Sequence, residues 1–186
     1  MMRMSLRKLI QKIVYRLRGE LTVDTLIKMG LTVGKNFVAQ QGANLDPSHC
    51  WLITIGDDVT LAPRVQILAH DASTCKHLGY AKIGRVVIGN RVFIGAGTII
   101  LPDVRIGDDV IIGAGSVVTR SLESGAVYAG NPAQKVCTIE EYVGKHQRKM
   151  ESRPVYGGEF TLRQNISAQM KLQQRAELED GIGYVK

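Results

Sequence analysis

The fold is decided by the stretch IGNRVF, IGAGTI, ILPDVR, IGDDVI, IGAGSV, VTRSL, which runs from Ile88 to Leu122. Every block of six begins with an aliphatic residue, and its fifth residue is Val, Thr, Ser or Leu. A period of six fits neither a helix nor a heptad, and Val, Ile and Thr favour strands. The repeat therefore predicts a β-helix, in which stacked turns close a core that no single repeat could bury.

The same period extends upstream of this stretch. It begins at Val33, loosens around Asp46 to Trp51, and resumes from Ile55 to Ala69. The following segment, HDASTCKHLGYAKIGRVV, has no six-residue phase and carries two of the four histidines. A polar interruption of this kind, with histidine at its root, predicts a functional loop, which we place at residues 71–86.

Helices are predicted on both sides of the repeat. Ser5 to Arg18 has one apolar face and five basic residues elsewhere, which fits a helix that caps the first coil or one that lies on an anionic membrane. Val23 to Met29 predicts a second short helix, and Thr138–Met150 and Asn165–Leu178 predict two more around a loop at 152–160. The expected organisation is a helical cap (1–30), a β-helix (31–137) and a helical extension (138–186).

Composition narrows the functional classes. A chain of 186 residues suits one domain with short extensions, and its net charge of +7 favours anionic partners. Three widely spaced cysteines indicate neither a disulfide framework nor a zinc site. There is no signal-peptide pattern or membrane-spanning run, so we expect a cytoplasmic protein, with peripheral membrane contact left open through the basic helix. No basic, aromatic platform suggests nucleic-acid binding.

The sequence resembles the hexapeptide-repeat acetyltransferases, in particular the maltose, galactoside and capsule O-acetyltransferase branch. The resemblance rests on IGDDVTLAPRVQILAHD, on the loop after it, on VVIGNRVFIGAGTIILPDVRIGDDVIIGAGSVVTRSLESGAVYAGNPA, and on Lys135. It implies an all-β core, a left-handed parallel β-helix with three hexapeptides per coil and α-helical extensions. It further implies acetyl-CoA as co-substrate, no metal, a sugar acceptor, and a homotrimer whose active sites lie between neighbouring subunits.

The resemblance makes His70 the candidate general base, because it stands in the family's AHD marker where the loop leaves the repeat. Imidazole is suited to taking a proton from a hydroxyl near neutral pH. Asp71 is expected to orient the ring or to bind the acceptor, unless it is an ordinary surface residue. A Cys75 acyl-enzyme is the competing mechanism, although nothing beside Cys75 would activate the thiol.

Coenzyme A is expected along small-residue corners of the coil. The resemblance assigns this role to a set that ends in a basic residue for the phosphates: Ala96, Gly97, Ala114, Gly115, Thr119, Arg120, Asn131, Pro132 and Lys135. Gln134 departs from the family, which commonly has Lys or Arg at that position. The alternative interpretation is that a tightly wound coil needs small corner residues whether or not coenzyme A binds.

The acceptor is expected to contact residues of the early coils and of the loop. The family position falls on Gln40 or Gln41, presented by the facing subunit, where maltose and galactoside enzymes have Asn; this difference suggests another sugar. His49, Trp51 and His77 complete the set. Trp51 could stack on a pyranose, or it could plug the interior of the coil.

Other functions remain open at this point. N-acetylation of a nucleotide-linked amino sugar would use the same base, whereas serine acetylation is disfavoured because no long helical domain precedes the repeat. A non-catalytic scaffold would share the fold. A γ-class carbonic anhydrase would need three histidine ligands, and His49, His70 and His77 look too irregularly placed for that.

Overall fold

The computed structural model describes residues 21–186, so the predicted basic helix at Ser5 to Arg18 lies outside the described residues. The chain forms two compact units, one ending at Ile139 and the other comprising Glu140–Lys186. The first unit opens with helix α1 (Val23–Lys28), whose Thr22 side chain accepts a hydrogen bond from the Thr25 N–H at 3.3 Å. This confirms the short helix predicted there.

Short strands make up most of the first unit. They are β1 (Thr32–Val33), β2 (Val38–Ala39), β3 (Asn44–Leu45), β4 (Ile53–Ile55), β5 (Thr60–Leu61), β6 (Gln66–Ile67), β7 (His70–Asp71), β8 (Lys82–Ile83), β9 (Val86–Ile88), β10 (Phe93–Ile94), β11 (Ile99–Ile100), β12 (Arg105–Ile106), β13 (Ile111–Ile112), β14 (Val117–Val118), β15 (Ala126–Ala129) and β16 (Gln134–Thr138).

Three sheets, in each of which strands of successive coils pair side by side, confirm the predicted β-helix. Their strand orders are β1-β4-β9-β12, β2-β5-β10-β13-β15-β16 and β3-β6-β11-β14. All pairings within them are parallel except that of β15 with β16. Within the repeat, Phe93 pairs with Ile111, 18 residues on, which is three hexapeptides per coil. The left-handed sense of the coil remains an implication of the family resemblance.

The first, second and fifth positions of the hexapeptide have distinct structural roles. The first and fifth residues point inward, and Val92, Ile94, Ile100 and Val104 are all essentially buried. Many second positions are glycine because the next coil lies directly against them: a Cβ on Gly95 would lie 2.4 Å from the Ala114 nitrogen. Stacked aliphatic layers therefore form the core, and tight corners hold the coils together.

The repeat is interrupted twice, both times between the third sheet and the first. The first coil takes 22 residues because a short 3-10 helix (Cys50–Leu52) is inserted between β3 and β4. The second takes 33 because β7, helix α2 (Cys75–Leu78) and β8 are inserted between β6 and β9. Two consecutive coils thus carry their insertions at the same corner.

The second insertion differs slightly from the predicted loop of residues 71–86. His70 and Asp71 form β7, which pairs antiparallel with β8. Val86 already belongs to β9 in the first sheet, so the insertion ends at Arg85. The insertion is therefore a hydrogen-bonded hairpin whose tip carries two short helical turns.

The second unit contains two α-helices, α3 (Ile139–Met150, which begins at the last residue of the first unit) and α4 (Ala168–Glu177). Both were predicted, and the Ser167 side chain caps α4 by accepting the Met170 N–H. The region 152–160 is not simply a loop, because Val155–Tyr156 forms β17, which pairs with β18 (Tyr184–Val185). Tyr156 donates a hydrogen bond to Glu177 at 2.8 Å. Within residues 21–186, no helix combines the length and the apolar character needed to cross a membrane.

Candidate active site

The broken corner of the β-helix brings a histidine and a buried carboxylate into contact. His70 Nδ1, from β7, lies 2.5 Å from Oδ2 of Asp46, the residue that follows β3. The Asp46 side chain is 1% exposed and that of His70 is 34% exposed. A fixed carboxylate therefore holds an imidazole whose outer edge reaches solvent.

Asp46 is itself held by the backbone of both coils. Its Oδ2 also accepts the Ala69 N–H at 2.8 Å, and its Oδ1 accepts the Ser48 N–H at 3.1 Å. Burial by itself would raise the pKa of Asp46, but the hydrogen bonds from His70 and Ala69 and the attraction of His70 outweigh it, so the pKa lies below its usual value. An ionised carboxylate only accepts hydrogen bonds, so the Nδ1 of His70 carries a proton and the Nε2 of the neutral ring is left as a base.

The structure corrects the orienting role expected of Asp71. The Asp71 carboxylate bonds the Lys82 ammonium at 2.6 Å and the Ser73 N–H at 2.8 Å. The hydrogen bonds from Lys82 and Ser73 lower the pKa of Asp71 to about 2. Asp71 thus closes the base of the hairpin, and Asp46 orients His70; contact between Asp71 and the acceptor stays a prediction.

A row of aromatic rings extends from His70. The His49 ring lies 5.0 Å from that of His70, and the Trp51 ring lies 5.3 Å from that of His49, measured between ring centroids. The Nδ1 atom of His49 is buried and has no hydrogen-bond partner among residues 21–186. Both His49 and Trp51 belong to the first insertion, whereas His70 belongs to the second.

The three histidines considered for a metal site are only partly brought together, because His49 and His70 lie close to each other and His77 does not join them. Asp46, His49 and His70 place one potential ligand atom each within 4.8 Å of one another, while His77 lies exposed in α2, outside this cluster. Two ligands of a tetrahedral zinc ion stand about 3.3 Å apart, given metal–ligand distances near 2.1 Å. The 2.5 Å contact between His70 and Asp46 is too short for two such ligands, and it fits a hydrogen-bonded acid–base pair.

The first group of predicted coenzyme residues lines an open cleft of about 780 Å³. Ala96 and Gly97 lie in it with Gln41, Pro63 and Arg64. Gly115 stands one coil further on, and its N–H bonds the Ala96 carbonyl at 2.8 Å. Within residues 21–186, nothing accepts a hydrogen bond from the Ala96 N–H, so this donor is available to a ligand.

Comparison of corners shows that glycine is not required at position 97. Gly97 and Gly115 have φ +69°, but Arg64, Arg91 and Asp103 adopt φ between 54° and 64° at the same position of other hexapeptides. A Cβ on Gly97 or on Gly115 would meet nothing within 4 Å. The interpretation that the coil needs these small residues for winding is therefore wrong at these two corners, where glycine instead leaves the backbone uncovered.

The second group of predicted coenzyme residues meets around a smaller cleft of about 370 Å³. Arg120, Gln134 and Lys135 line it, and an Arg120 N–H donates to the Gln134 side-chain carbonyl oxygen. The unusual Gln134 thus holds the guanidinium next to Lys135. Thr119 is exposed beside Arg120, Ala114 is exposed at the corner of Gly115, and Asn131–Pro132 forms an exposed cis peptide between β15 and β16.

The remaining predicted acceptor residues are not gathered at His70 within one chain. Gln40 and Gln41 lie between β2 and β3, at another corner, and Gln41 lines the cleft of Ala96 and Gly97. The contribution of Gln40 or Gln41 from a facing subunit stays a prediction, and so does the contact of His77 in the inserted hairpin with the acceptor. Asp46 was missed because it lies 24 residues before His70 in a stretch where the repeat loosens. The sequence carries no signal that links the two residues, because the two interruptions come to one corner only when the coils stack.

Fold and site together define a class of protein, a parallel β-helix of hexapeptides that carries a histidine held by a buried carboxylate at a broken corner. Residues 85–120 match the family model described as bacterial transferase hexapeptide (six repeats). Protein CapG of Staphylococcus aureus is 40% identical over 146 residues, which cover 75% of this chain and 83% of CapG. The chain belongs to the hexapeptide-repeat acetyltransferase family.

Solved structures of relatives agree with this assignment. A maltose O-acetyltransferase from Clostridium difficile 630 is 40% identical with a TM-score of 0.53, and 59% of each chain is covered. A galactoside acetyltransferase in complex with coenzyme A is 31% identical with a TM-score of 0.56, and the match covers 62% of this chain and 58% of that one. This chain therefore spans less than two thirds of these two relatives.

Proposed function

We propose that this protein transfers an acetyl group from acetyl-CoA to a sugar hydroxyl, with His70 as the general base. The observation that carries the proposal is the contact of 2.5 Å between His70 Nδ1 and the buried Asp46 carboxylate. It fixes the tautomer and the orientation of an imidazole at the corner where the repeat opens. The acetyltransferases named for maltose and galactoside among the relatives support a sugar acceptor.

His70 performs the proton transfers of the reaction. Its Nε2 takes the proton from the acceptor hydroxyl as the hydroxyl oxygen bonds to the acetyl carbonyl carbon of the thioester. The imidazolium is stabilised by Asp46, which remains ionised. When the carbon–sulfur bond breaks, the proton on Nε2 passes to the departing thiolate of coenzyme A, so the enzyme is regenerated without a covalent intermediate.

The corner glycines and the basic cleft supply binding for the co-substrate. The bare backbone at Gly97 and Gly115 lets the thin pantetheine arm approach, and the Ala96 N–H is a donor without a partner among the described residues 21–186. Arg120 and Lys135 offer positive charge for phosphates. A homotrimer, in which a neighbouring chain brings Gln40 or Gln41 to the acceptor, remains part of the proposal.

The test measures thiol release from acetyl-CoA with a panel of glycosides, amino sugars and serine. We expect release with at least one hydroxyl acceptor, and a loss of turnover of roughly a hundredfold or more in His70→Ala with coenzyme A binding retained. His146→Gln, in the second unit, is the matched control and should retain turnover. Release only with amino sugars would replace O-transfer by N-transfer, and full turnover in His70→Ala would refute the role of His70.

A further inference from the structure

We propose that Trp51 is the stacking platform for the acceptor, and that the acceptor therefore presents the apolar face of a pyranose ring beside His70. This inference rests on the proposed function and specifies which part of the site recognises the substrate. It chooses between the two sequence-based interpretations of Trp51, a ligand platform or a plug of the coil.

The side chain of Trp51 cannot be a plug, because it is 54% exposed. The interior of the coil at this level is filled by aliphatic residues such as Leu45 and Ile53, which are buried. An indole on the surface presents a wide apolar face to water. This face is therefore open for a ligand to stack on.

The backbone that carries Trp51 is nevertheless held firmly. The Sγ of its neighbour Cys50 lies 3.6 Å from the Leu26 carbonyl oxygen and 3.7 Å from that of Met29, which ties the 3-10 helix to the end of α1. Gly30 approaches so closely that a Cβ there would lie 2.8 Å from the Trp51 Cβ. A fixed backbone with an exposed aromatic ring is a preorganised platform, because the backbone need not be ordered when a ligand binds.

The platform is directed toward the catalytic base by contact. His49 lies between Trp51 and His70, with ring centroids 5.3 and 5.0 Å from theirs, and its Nδ1 is buried. A ring stacked on Trp51 thus extends along His49 toward His70. His49 acts as the spacer that sets how far the stacked ring stands from the base.

The chemistry of an indole selects the class of acceptor. Indole binds rings that have a flat apolar face and a polar edge, which is how a pyranose presents its C–H groups and its hydroxyls. A small amino acid such as serine has no such face. The platform therefore favours a saccharide over a hydroxy amino acid and leaves the edge hydroxyls free to reach His70.

Trp51 is the only tryptophan in the chain, so its fluorescence reports on this position alone. The purified full-length protein is titrated with methyl pyranosides and, separately, with serine, without acetyl-CoA. We expect a saturable change in emission with the sugar that best supports thiol release, and none with serine. Emission that stays unchanged with every pyranoside, as it would if a second copy of the chain covered Trp51, overturns the proposal.

Variants separate binding from chemistry. Trp51→Ala is expected to raise the KM of the sugar roughly three- to tenfold, while kcat and the KM of acetyl-CoA stay within about twofold. Trp51→Phe keeps a stacking ring and should restore most of the affinity, which also guards against a folding defect. Leu162→Ala removes a more exposed apolar side chain from the second unit and is the control.

The failure of this inference differs from a failure of the proposed function. Thiol release with sugars whose KM is unaffected in Trp51→Ala would retain the acetyltransferase and remove the platform. A saturable emission change without any thiol release would retain the platform and remove the activity.

Discussion

At the scale of single residues, the site depends on one buried carboxylate that serves three donors. Asp46 binds the His70 ring, the Ala69 N–H and the Ser48 N–H, so it joins the two insertions and sets the tautomer of the base. The outcome is a histidine that begins the surface hairpin but whose ring is also anchored by a carboxylate outside that hairpin. The Asp46 side chain therefore both orients the His70 ring and holds the backbone of the two insertions together.

Asp46→Asn is expected to lower kcat by roughly 10²–10⁴-fold, because an amide can donate to Nδ1 and shift the ring proton to the nitrogen that should act as base. The affinity for coenzyme A should hold, since the corner glycines are untouched. Steady-state kinetics alongside Asp71→Asn make the comparison, because the Asp71 carboxylate is engaged by Lys82. An equal loss of kcat in the two variants would contradict the assignment of Asp46.

His70 could be predicted from the sequence, whereas Asp46 could not. A histidine at the point where the hexapeptide pattern stops can be recognised in the sequence alone. Its partner Asp46 is determined by the stacking of the coils. Leu45 pairs with Ile67, and this register brings the Asp46 carboxylate to the Ala69 N–H. That register depends on a coil of 22 residues, and the number of residues inserted in an irregular stretch is not fixed by the pattern around it.

Gly97→Asn is expected to separate folding from coenzyme binding. Asn36 occupies the same hexapeptide position at φ 54°, so the change should alter the free energy of unfolding by only about 1 kcal/mol. The new side chain would cover the open corner and weaken coenzyme A binding roughly tenfold or more, as measured by calorimetry. Gly95→Ala is the contrasting variant, because its Cβ would clash with the Ala114 nitrogen and destabilise the fold. Unchanged coenzyme affinity in Gly97→Asn would exclude this corner.

At the scale of elements, the inserted hairpin is fastened at its base and exposed at its tip. The contact of Asp71 with Lys82 bridges β7 and β8, while Leu78 and Tyr80 are 67% and 79% exposed. The hairpin begins with His70 itself, so opening of its base would disturb the strand that presents the His70 ring.

Acid is expected to open the hairpin. The folded-state pKa of Asp71 is about 2, below the ordinary value of 3.8, so its stabilising contribution is complete above pH 3.8 and is lost as the pH falls toward 2. The protection factors of the amides in residues 72–85, in which the pH dependence of intrinsic exchange is divided out, should therefore fall over this range. Lys82→Met should show the faster exchange already at neutral pH, and Arg91→Met, which breaks an exposed pair with Asp109, should leave the hairpin unchanged. Exchange in Lys82→Met that matches the wild type would show that the ion pair does not hold the hairpin.

At the scale of the whole molecule, the hexapeptide pattern predicted the sheets because two constraints act on every inward residue. It must fit the repeat along the chain, and it must pack against the equivalent residues of the neighbouring coils. Ile94, for example, pairs with both Leu61 and Ile112. The pairing of β17 with β18 in the second unit could not be predicted, since its two short strands are separated by 3-10 turns and α4 and carry no repeat. Periodicity constrains long-range contacts, and an aperiodic segment supplies no such constraint.

Neighbouring isoleucines of β11 test how far the stability of the first unit rests on its stacked interior. Ile100 is completely buried between Ile67 and Val118, whereas Ile99 lies on the outer side of the strand and is partly exposed. Ile100→Ala should lower the free energy of unfolding by about 2–5 kcal/mol, because the coils on both sides hold the cavity open. Ile99→Ala, the same chemical change one residue away, should cost about 1 kcal/mol or less. Urea denaturation of both variants measures the difference, and equal costs would mean that the outer face of the strand is packed as tightly as the core.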